Sequence, residues 1–406
     1  MQQFASFSAH ASLHRASEPP TILLGVTHHQ TCLVLGARLR SLRRAGFRVI
    51  LVSGPGQLLD RTAAREGVER FAIPMRRGIA PFADIISLIR LWRVLGKYRP
   101  QLVEFSTPKA GLLGSLAATL RGVQCRVYML RGLKLQRSTG LKRRLLLAAE
   151  RLASACAHIV LCNSESLRAE ALSLRVAPAA KLCLLGDGSS NGVDIRRFSP
   201  GPCNLREELG ISAKSPVVGF VGRLTCDKGL PELIQAFETI QRAEPVARLL
   251  LVGWFDASED ALSADLCEHI RNHAGIICTG FVIDTAPFYR AMDVLVLPTW
   301  REGFPNVVLE AAATGVPVVT TECTGARDSV VPEVTGLLIP PGYPDAIAEV
   351  LLKLIRDPER CKLMGQTARA WVLEHFLEER VLGLTVDYYR NLLEPARTPE
   401  LQHAHG

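Results

Sequence analysis

Short apolar runs alternate with longer segments of helical period along most of the chain. Residues 21–26 form the first run, closed by a polar turn at 27–31, and 33–45 follow with a helical pattern that ends near Gly46. A second run at 49–52 is closed by Ser53-Gly54-Pro55-Gly56. The rhythm continues as 102–105 before 110–120, 125–130 before 141–155, and 158–162 before 164–174. Continuous apolar runs with helical segments between them predict strands of a parallel sheet covered on both faces. The rhythm breaks at 186–202, rich in Gly, Ser, Asn, Asp and Pro, and an interdomain linker is placed at 196–214. It restarts with strands at 217–221, 248–252, 276–279, 294–297 and 318–320, and helices that include 230–242, 345–355 and 359–376. The pattern predicts an α/β protein with two doubly wound, Rossmann-like domains rather than one large sheet. The expected division is a disordered tail at 1–20, a first domain at 21–200, a second at 201–385, and a helix end and tail at 386–406.

Charge sharpens that division. The 406 residues carry a net +9. Residues 1–200 hold 30 Lys and Arg against 11 Asp and Glu, or +19; of the chain's 48 and 39, the remainder keeps 18 and 28, or −10. A basic half and an acidic half imply different partners, and the basic half should be drawn to something anionic. Residues 131–151 concentrate the charge, with seven basic residues and one acidic one, Glu150, and Leu141, Leu145 and Leu146 beside Lys142, Arg143 and Arg144 give an amphipathic helix. No apolar run approaches the roughly 18–20 residues that span a bilayer, and the polar start lacks the apolar core of a secretory signal. Eleven cysteines at irregular spacing, with no Cys-x-x-Cys, are read as reduced thiols of a cytosolic protein.

Two segments carry candidate chemistry. In the first, a strand ends at Gly222 and Arg223 and Lys228 follow before a helix near Leu230. Glycine lets a phosphate approach the backbone, a helix start favours an anion, and a guanidinium and an ammonium can hold a diphosphate. Taken alone, the same cations also read as solvated loop residues. In the second, Trp300-Arg301-Glu302-Gly303-Phe304-Pro305-Asn306-Val307-Val308-Leu309-Glu310, a strand feeds a turn and a helix starts near Pro305. Glu310 lies in that helix beside Ala311, Ala312 and Ala313, where a carboxylate needs a partner. Ribose hydroxyls would serve; so would a structural salt bridge. Glu302 in the turn suits sugar hydroxyls or a helix cap, and the amides of Phe304, Asn306 and Val307 lie at the helix start.

Together these segments resemble the donor half of retaining family-four glycosyltransferases, which have the GT-B fold; the resemblance implies that the two domains face a central cleft. The resemblance rests on VGRLTCDKG, VLVLPTWREGFPNVVLEAAATGVPVV and ECTGARDSVVPEVTGLLIPPG, across residues 215–380. It implies that Glu310 binds the nucleotide ribose and that Glu302 contacts the donor sugar. Arg223 and Lys228 would hold the diphosphate, and backbone near Phe281 and Val282 would meet the base. The first half is similar to transferases of bacterial capsule, exopolysaccharide and O-antigen assembly, through STPKAGLLGSLAA, YMLRGLK, NSESLRAEAL and GSSNGVDIRRFSP. It departs from many members at Thr27-His28-His29-Gln30-Thr31, where they have Gly-Gly, and at Arg131, where they have His. The acceptor-side candidates are His28, His29, Ser106, Thr107, Lys109 and Arg131, each after a predicted strand.

The resemblance implies sugar transfer with retention from a nucleotide sugar, UDP being favoured. Arg223, Lys228 and the helix start would stabilise charge growing on the leaving diphosphate, and that diphosphate would take the acceptor proton. No Asp-x-Asp motif is present, so no essential metal or other cofactor is expected. The expected acceptor is a polyprenyl-diphosphate-linked saccharide, met by a peripheral cytoplasmic protein at an anionic membrane face. Readings left open are a sugar-nucleotide epimerase or a phosphorylase of the same fold. A nucleic-acid-binding protein fits pI ≈ 9.1 but not 6% aromatics and an acidic second half. A dinucleotide oxidoreductase lacks its Gly-x-Gly-x-x-Gly after the first strand.

Overall fold

The computed structural model describes residues 19–394 except 77 and 79. Residues 1–18 of the tail expected at 1–20, and residues 395–406 of the helix end and tail expected at 386–406, lie outside the described residues. The first sheet holds β1 (Thr21–Gly25), β2 (Arg48–Ser53), β3 (Glu69–Ala72), β4 (Leu102–Ser106), β5 (Cys125–Leu130), β6 (Ile159–Cys162) and β7 (Leu182–Leu184). All pairings are parallel, in the order β3-β2-β1-β4-β5-β6-β7. Helices α1 (Cys32–Arg44) and α2 (Gln57–Glu66) follow β1 and β2. Helices α3 (Pro81–Tyr98), α4 (Pro108–Leu120), α5 (Gly140–Cys156) and α6 (Glu165–Ser173) follow β3 to β6. Strands β1 and β4 are buried at every residue; β1 reads as an apolar run for that reason, whereas β4, Leu-Val-Glu-Phe-Ser, buries Glu104 among its apolar positions.

After a short α7 (Leu205–Glu208) the second sheet repeats the plan with β8 (Val217–Val221), β9 (Arg248–Val252), β10 (Ile276–Cys278), β11 (Val294–Leu297), β12 (Val318–Thr321) and β13 (Gly336–Ile339). Its order is β10-β9-β8-β11-β12-β13, again parallel. Its helices are α8 (Leu230–Ala243), α9 (Ala264–Asn272), α10 (Ala286–Arg290), α11 (Asn306–Thr314), α12 (Pro344–Ile355) and α13 (Pro358–His375). In each sheet the winding reverses beside the first strand, between β1 and β4 and between β8 and β11. Ligands of open α/β sheets bind in the crevice at such switch points, beyond the strands' carboxyl ends. Residues 27–31 and 107–109 lie at the first, and 222–228 and 299–306 at the second.

The chain then returns. Outgoing Val193 donates its N–H to Phe376 and accepts from Glu378, at 2.8 and 3.0 Å, so the two crossings run side by side. A boundary at 385 cuts through α14 (Glu378–Leu393), whose Val386 and Tyr389 enter the first domain's core against α1. The Tyr389 hydroxyl donates to Glu104 in β4 and accepts from Arg38 Nη2 at 3.1 Å, while Arg38 and Glu104 are paired at 2.9 Å. All three are 2% exposed or less.

Candidate functional site

Gly229 ends the turn after β8. Its φ of +75° suits glycine, and a Cβ there would stand 2.0 Å from the Pro298 carbonyl oxygen. The close fit holds the turn that carries Lys228 against the end of β11. Lys228 Nζ donates to Glu302 Oε1 in a short ion pair, both side chains less than one fifth exposed. The structure thus joins two residues that the sequence offered from separate segments.

Beside this pair runs a chain of alternating charge. Arg223 meets Asp256 at 2.6 Å and Asp227 at 3.6 Å; Arg301 meets Asp227 at 2.7 Å and Asp260 at 3.5 Å. Burial works against the Asp227 carboxylate, but Lys228, Arg301, the Thr225 hydroxyl and Arg223 outweigh it and hold the carboxyl below its usual range. Burial likewise opposes the Arg223 charge, and the Asp227, Asp256 and Glu302 carboxylates raise it above the ordinary value. Asp256, Asp260, Arg301 and Asp227 had no role in the sequence reading. Arg301 stands directly before Glu302 and Asp227 directly before Lys228, so adjacency was the available signal; Asp256 and Asp260 lie on a separate loop that offered none.

Glu310 occupies the fifth position of α11, and Pro305 caps that helix rather than entering its first turn as expected. Buried Tyr289, on α10, donates its hydroxyl to Glu310 Oε2 at 2.6 Å. Burial pushes the Glu310 carboxyl up, and the Tyr289 hydrogen bond and Arg197 pull the other way. A carboxylate with one oxygen so engaged keeps lone pairs for further donors. Gly303 and Phe304 are buried in the turn, while Asn306 and Val307 are half-buried at the helix start. Val282 is half-buried next to exposed Phe281, which meets Trp254 edge to face at 5.2 Å.

Across the cleft, Thr107 holds φ +72°, costly for a β-branched residue. Its hydroxyl accepts the Thr27 N–H at 3.0 Å and pairs with the Thr27 hydroxyl at 2.6 Å, which itself accepts the Ala110 N–H. Lys109 is paired with Asp84 at 2.5 Å. A cavity of about 420 Å³ brings His28, Thr107 and Lys109 together with Arg223 and Arg301. The other three acceptor-side candidates do not line it. Ser106 is buried at the end of β4. His29 stacks on His28 and packs against Gly56. Arg131 turns inward, donating Nη1 to Ser190 at 2.9 Å with Nε and Nη2 buried and unpartnered, and burial together with the Arg38 charge lowers it to about 10.

The two domains touch at this cleft through backbone. A Cβ at Gly303 would lie 2.5 Å from the Arg131 carbonyl oxygen, and one at Gly132 would lie 3.3 Å from the Glu302 carbonyl. Asp328 of the second domain caps α6 of the first, accepting the Ser166 N–H at 3.0 Å and its hydroxyl proton. Gly303→Ala must therefore hold the domains apart by roughly an ångström. Such a misplacement costs on the order of 100-fold in rate. Transfer assays should show that loss with the thermal midpoint nearly unchanged, because both cores are untouched; activity within threefold of wild type would show that this closed contact is not the working one.

Two doubly wound parallel sheets, with charged turns meeting across the cleft at both switch points, define a GT-B glycosyltransferase. The chain belongs to the group 1 glycosyltransferases: residues 215–357 match "Glycosyl transferases group 1" and residues 35–188 match "Glycosyl transferase 4-like domain". It is 34% identical over 370 residues, 91% of this chain and 96% of the relative, to the capsular polysaccharide biosynthesis glycosyltransferase CapM of Staphylococcus aureus. It is 28% identical, over 77% of this chain and 81% of the relative, to an Escherichia coli UDP-Gal:alpha-D-GlcNAc-diphosphoundecaprenol alpha-1,3-galactosyltransferase. Among solved structures, Anabaena HepE in complex with UDP-glucose superimposes with a TM-score of 0.75 at 19% identity, covering 91% of this chain and 99% of HepE. Among the described residues, no helix is long and apolar enough to cross a membrane.

Proposed function

We propose that this glycosyltransferase moves a sugar from a UDP-sugar, with retention, onto a polyprenyl-diphosphate-linked saccharide during surface polysaccharide assembly. The observation that carries the reading is the placement of Lys228, Glu302 and Arg223 at the switch point of the second sheet, beside the start of α11, with Glu310 further along that helix. The diphosphate takes Lys228 and Arg223 from their carboxylate partners. Glu302, released from Lys228, accepts hydrogen bonds from the donor sugar, and Glu310 accepts from the ribose. The bond from the anomeric carbon to the diphosphate oxygen breaks, the acceptor oxygen bonds to the same face of that carbon, and the acceptor proton passes to the departing diphosphate. Three cations, Arg223, Lys228 and Arg301, stand ready for that charge. Among the described residues no group of three His, Cys, Asp or Glu side chains is placed to hold a metal ion.

CapM, a capsular polysaccharide biosynthesis glycosyltransferase, supports the setting in surface polysaccharide assembly, and the E. coli galactosyltransferase, with a diphosphoundecaprenol-linked acceptor, supports the acceptor class. HepE, with UDP-glucose bound, supports the nucleotide. The protein works in the cytoplasm, peripheral to an anionic membrane face to which the +19 half is drawn. The test incubates purified protein with UDP-, GDP- and ADP-sugars and bacterial membrane lipid extract, with Glu310→Ala and Arg223→Ala alongside. Nucleotide release only from a UDP-sugar, only with lipid and only by wild type is the expected result. Failure to bind any of the three nucleotides would overturn the donor site.

A further inference from the structure

Helix α3 is apolar on both of its faces. Leu91, Val94 and Leu95 are buried toward α4 and the sheet. On the opposite side Phe82 is 86% exposed, Ile85 54%, Ile86 52%, Ile89 45% and Trp92 40%. Their spacing of three, four, seven and ten residues from Phe82 puts them in one stripe along the helix. A surface helix of a soluble domain carries polar residues there, and a contiguous exposed apolar patch marks a partner. Cations frame the stripe: Arg90, Arg93, Lys97 and Arg99 are exposed on the helix and at its end, and the Arg121 guanidinium lies 3.2 Å from the Trp92 ring centroid. The single acidic residue of α3, Asp84, is engaged by Lys109.

The same layer holds a second such surface. Helix α4 packs between α3 and α5, and α5 exposes Leu141 and Leu145 among exposed Lys142, Arg143 and Arg144. Between these helices a cavity of about 300 Å³ is walled by Leu112, Leu145, Leu146 and Ala149, with Arg137 and, at the donor side, Arg301. This trough, apolar on its α5 side and edged by charges of both signs, among them the Lys142–Glu259 pair at 3.2 Å and Arg301 beside Asp260, leads from the helical layer to the cleft.

We infer that the α3 stripe is the protein's bilayer-docking element: its apolar side chains enter an anionic membrane surface, its arginines meet lipid headgroup phosphates, and the trough behind it admits the chain and diphosphate of the acceptor. The inference rests on the reading of a lipid-linked acceptor for the identity of the partner. A bilayer suits these observations better than a second protein, because the apolar stripe is edged by cations alone and a neighbouring helix in the same layer repeats the pattern.

Flotation of the full chain with phosphatidylcholine vesicles, with and without phosphatidylglycerol, tests it. Wild type should float with the anionic vesicles and lose most of that binding in high salt. The pair Phe82→Ser with Ile86→Ser should bind at least about tenfold more weakly. The pair Arg90→Gln with Arg93→Gln should lose most of the salt dependence. UDP binding by calorimetry should be unchanged in both, which confirms that they fold and separates this test from that of the donor site. Absence of UDP binding alongside intact flotation would sink the proposed activity and leave this inference standing. Wild-type flotation equal with and without phosphatidylglycerol, or a Phe82/Ile86 variant that floats like wild type, overturns it. So does a concentration-dependent dimer that the same pair abolishes, because the stripe would then be an interface between copies.

Discussion

Lys228→Ala is expected to lower the rate of sugar transfer by about 10²- to 10³-fold, the usual loss when one preorganised donor to a developing oxyanion is removed. Nζ lies beyond the carboxyl end of β8 and is held in place by its ion pair with the Glu302 carboxylate. A diphosphate offers more negative charge than one carboxylate, and its charge increases as the glycosidic bond breaks. The contribution of Lys228 is therefore larger in the transition state than on donor binding, so kcat should fall much more than KM rises. Lys228→Arg, which keeps the charge but changes its shape, should recover part of the loss. Glu302→Gln separates the two functions of the pair. If Glu302 mainly restrains Lys228, the glutamine variant stays near wild type; if it also accepts from the donor sugar, as proposed, its kcat falls too. Stability should drop little in Lys228→Ala, because Arg223 also acts on Glu302 and the pair is not fully buried. Single-turnover rates against donor concentration, with a melting curve for each variant, decide the matter. A kcat within fivefold of wild type would remove Lys228 from the chemistry.

The alternation of strand and helix was legible because a strand covered on both faces has to be apolar at consecutive positions. The runs 217–221 and 294–297 are strands in the structure for that reason, and 102–105 and 125–130 are strands although each carries one charged residue, Glu104 and Arg126. Edge strand β3, Glu-Arg-Phe-Ala, has no such constraint and is exposed or half-buried at every residue, so it left no run to read. Strand β7, also at an edge, is three residues long. The donor-side segments could be read because contiguous sequence builds them: a turn and the helix after it. Tyr289 and Asp256 reach the same place from other segments, and proximity of that kind is set by the sheet order. The inward turn of Arg131 was also invisible, since it depends on a hydroxyl 59 residues away and on a charged cluster completed by the last helix. Helix α3 shows a subtler limit. Its outer apolar stripe is as periodic as its inner one, and only the fold says which of the two is buried.

That last helix gives the largest expected effect on stability. Glu104→Ala should destabilise the protein by about 3–5 kcal/mol, the range for removing one partner of a buried ion pair. Glu104 is 2% exposed in the middle of β4, and it is the acid that Arg38 and the Tyr389 hydroxyl share. It also offsets the neighbouring Arg131, whose guanidinium is already lowered by burial and by Arg38. Without it two buried guanidinium groups face each other with no counter-charge. Total stabilities of about 5–15 kcal/mol leave little margin for such a change. The strain should be released where the cluster is weakest, at α14, which enters from the far end of the chain. Urea unfolding should show the loss, and limited proteolysis should cut Glu104→Ala near 376–394 before wild type. Glu104→Gln, which keeps an acceptor for Tyr389 and Arg38 but no charge, should fall between the two. If the pair is needed only for balance, Arg38→Met, Glu104→Leu and Tyr389→Phe together should recover most of the stability, since apolar groups of similar size commonly replace a buried ion pair without loss. A loss below about 1 kcal/mol in Glu104→Ala would mean that water reaches the cluster and that α14 is held by its apolar contacts with α1 alone.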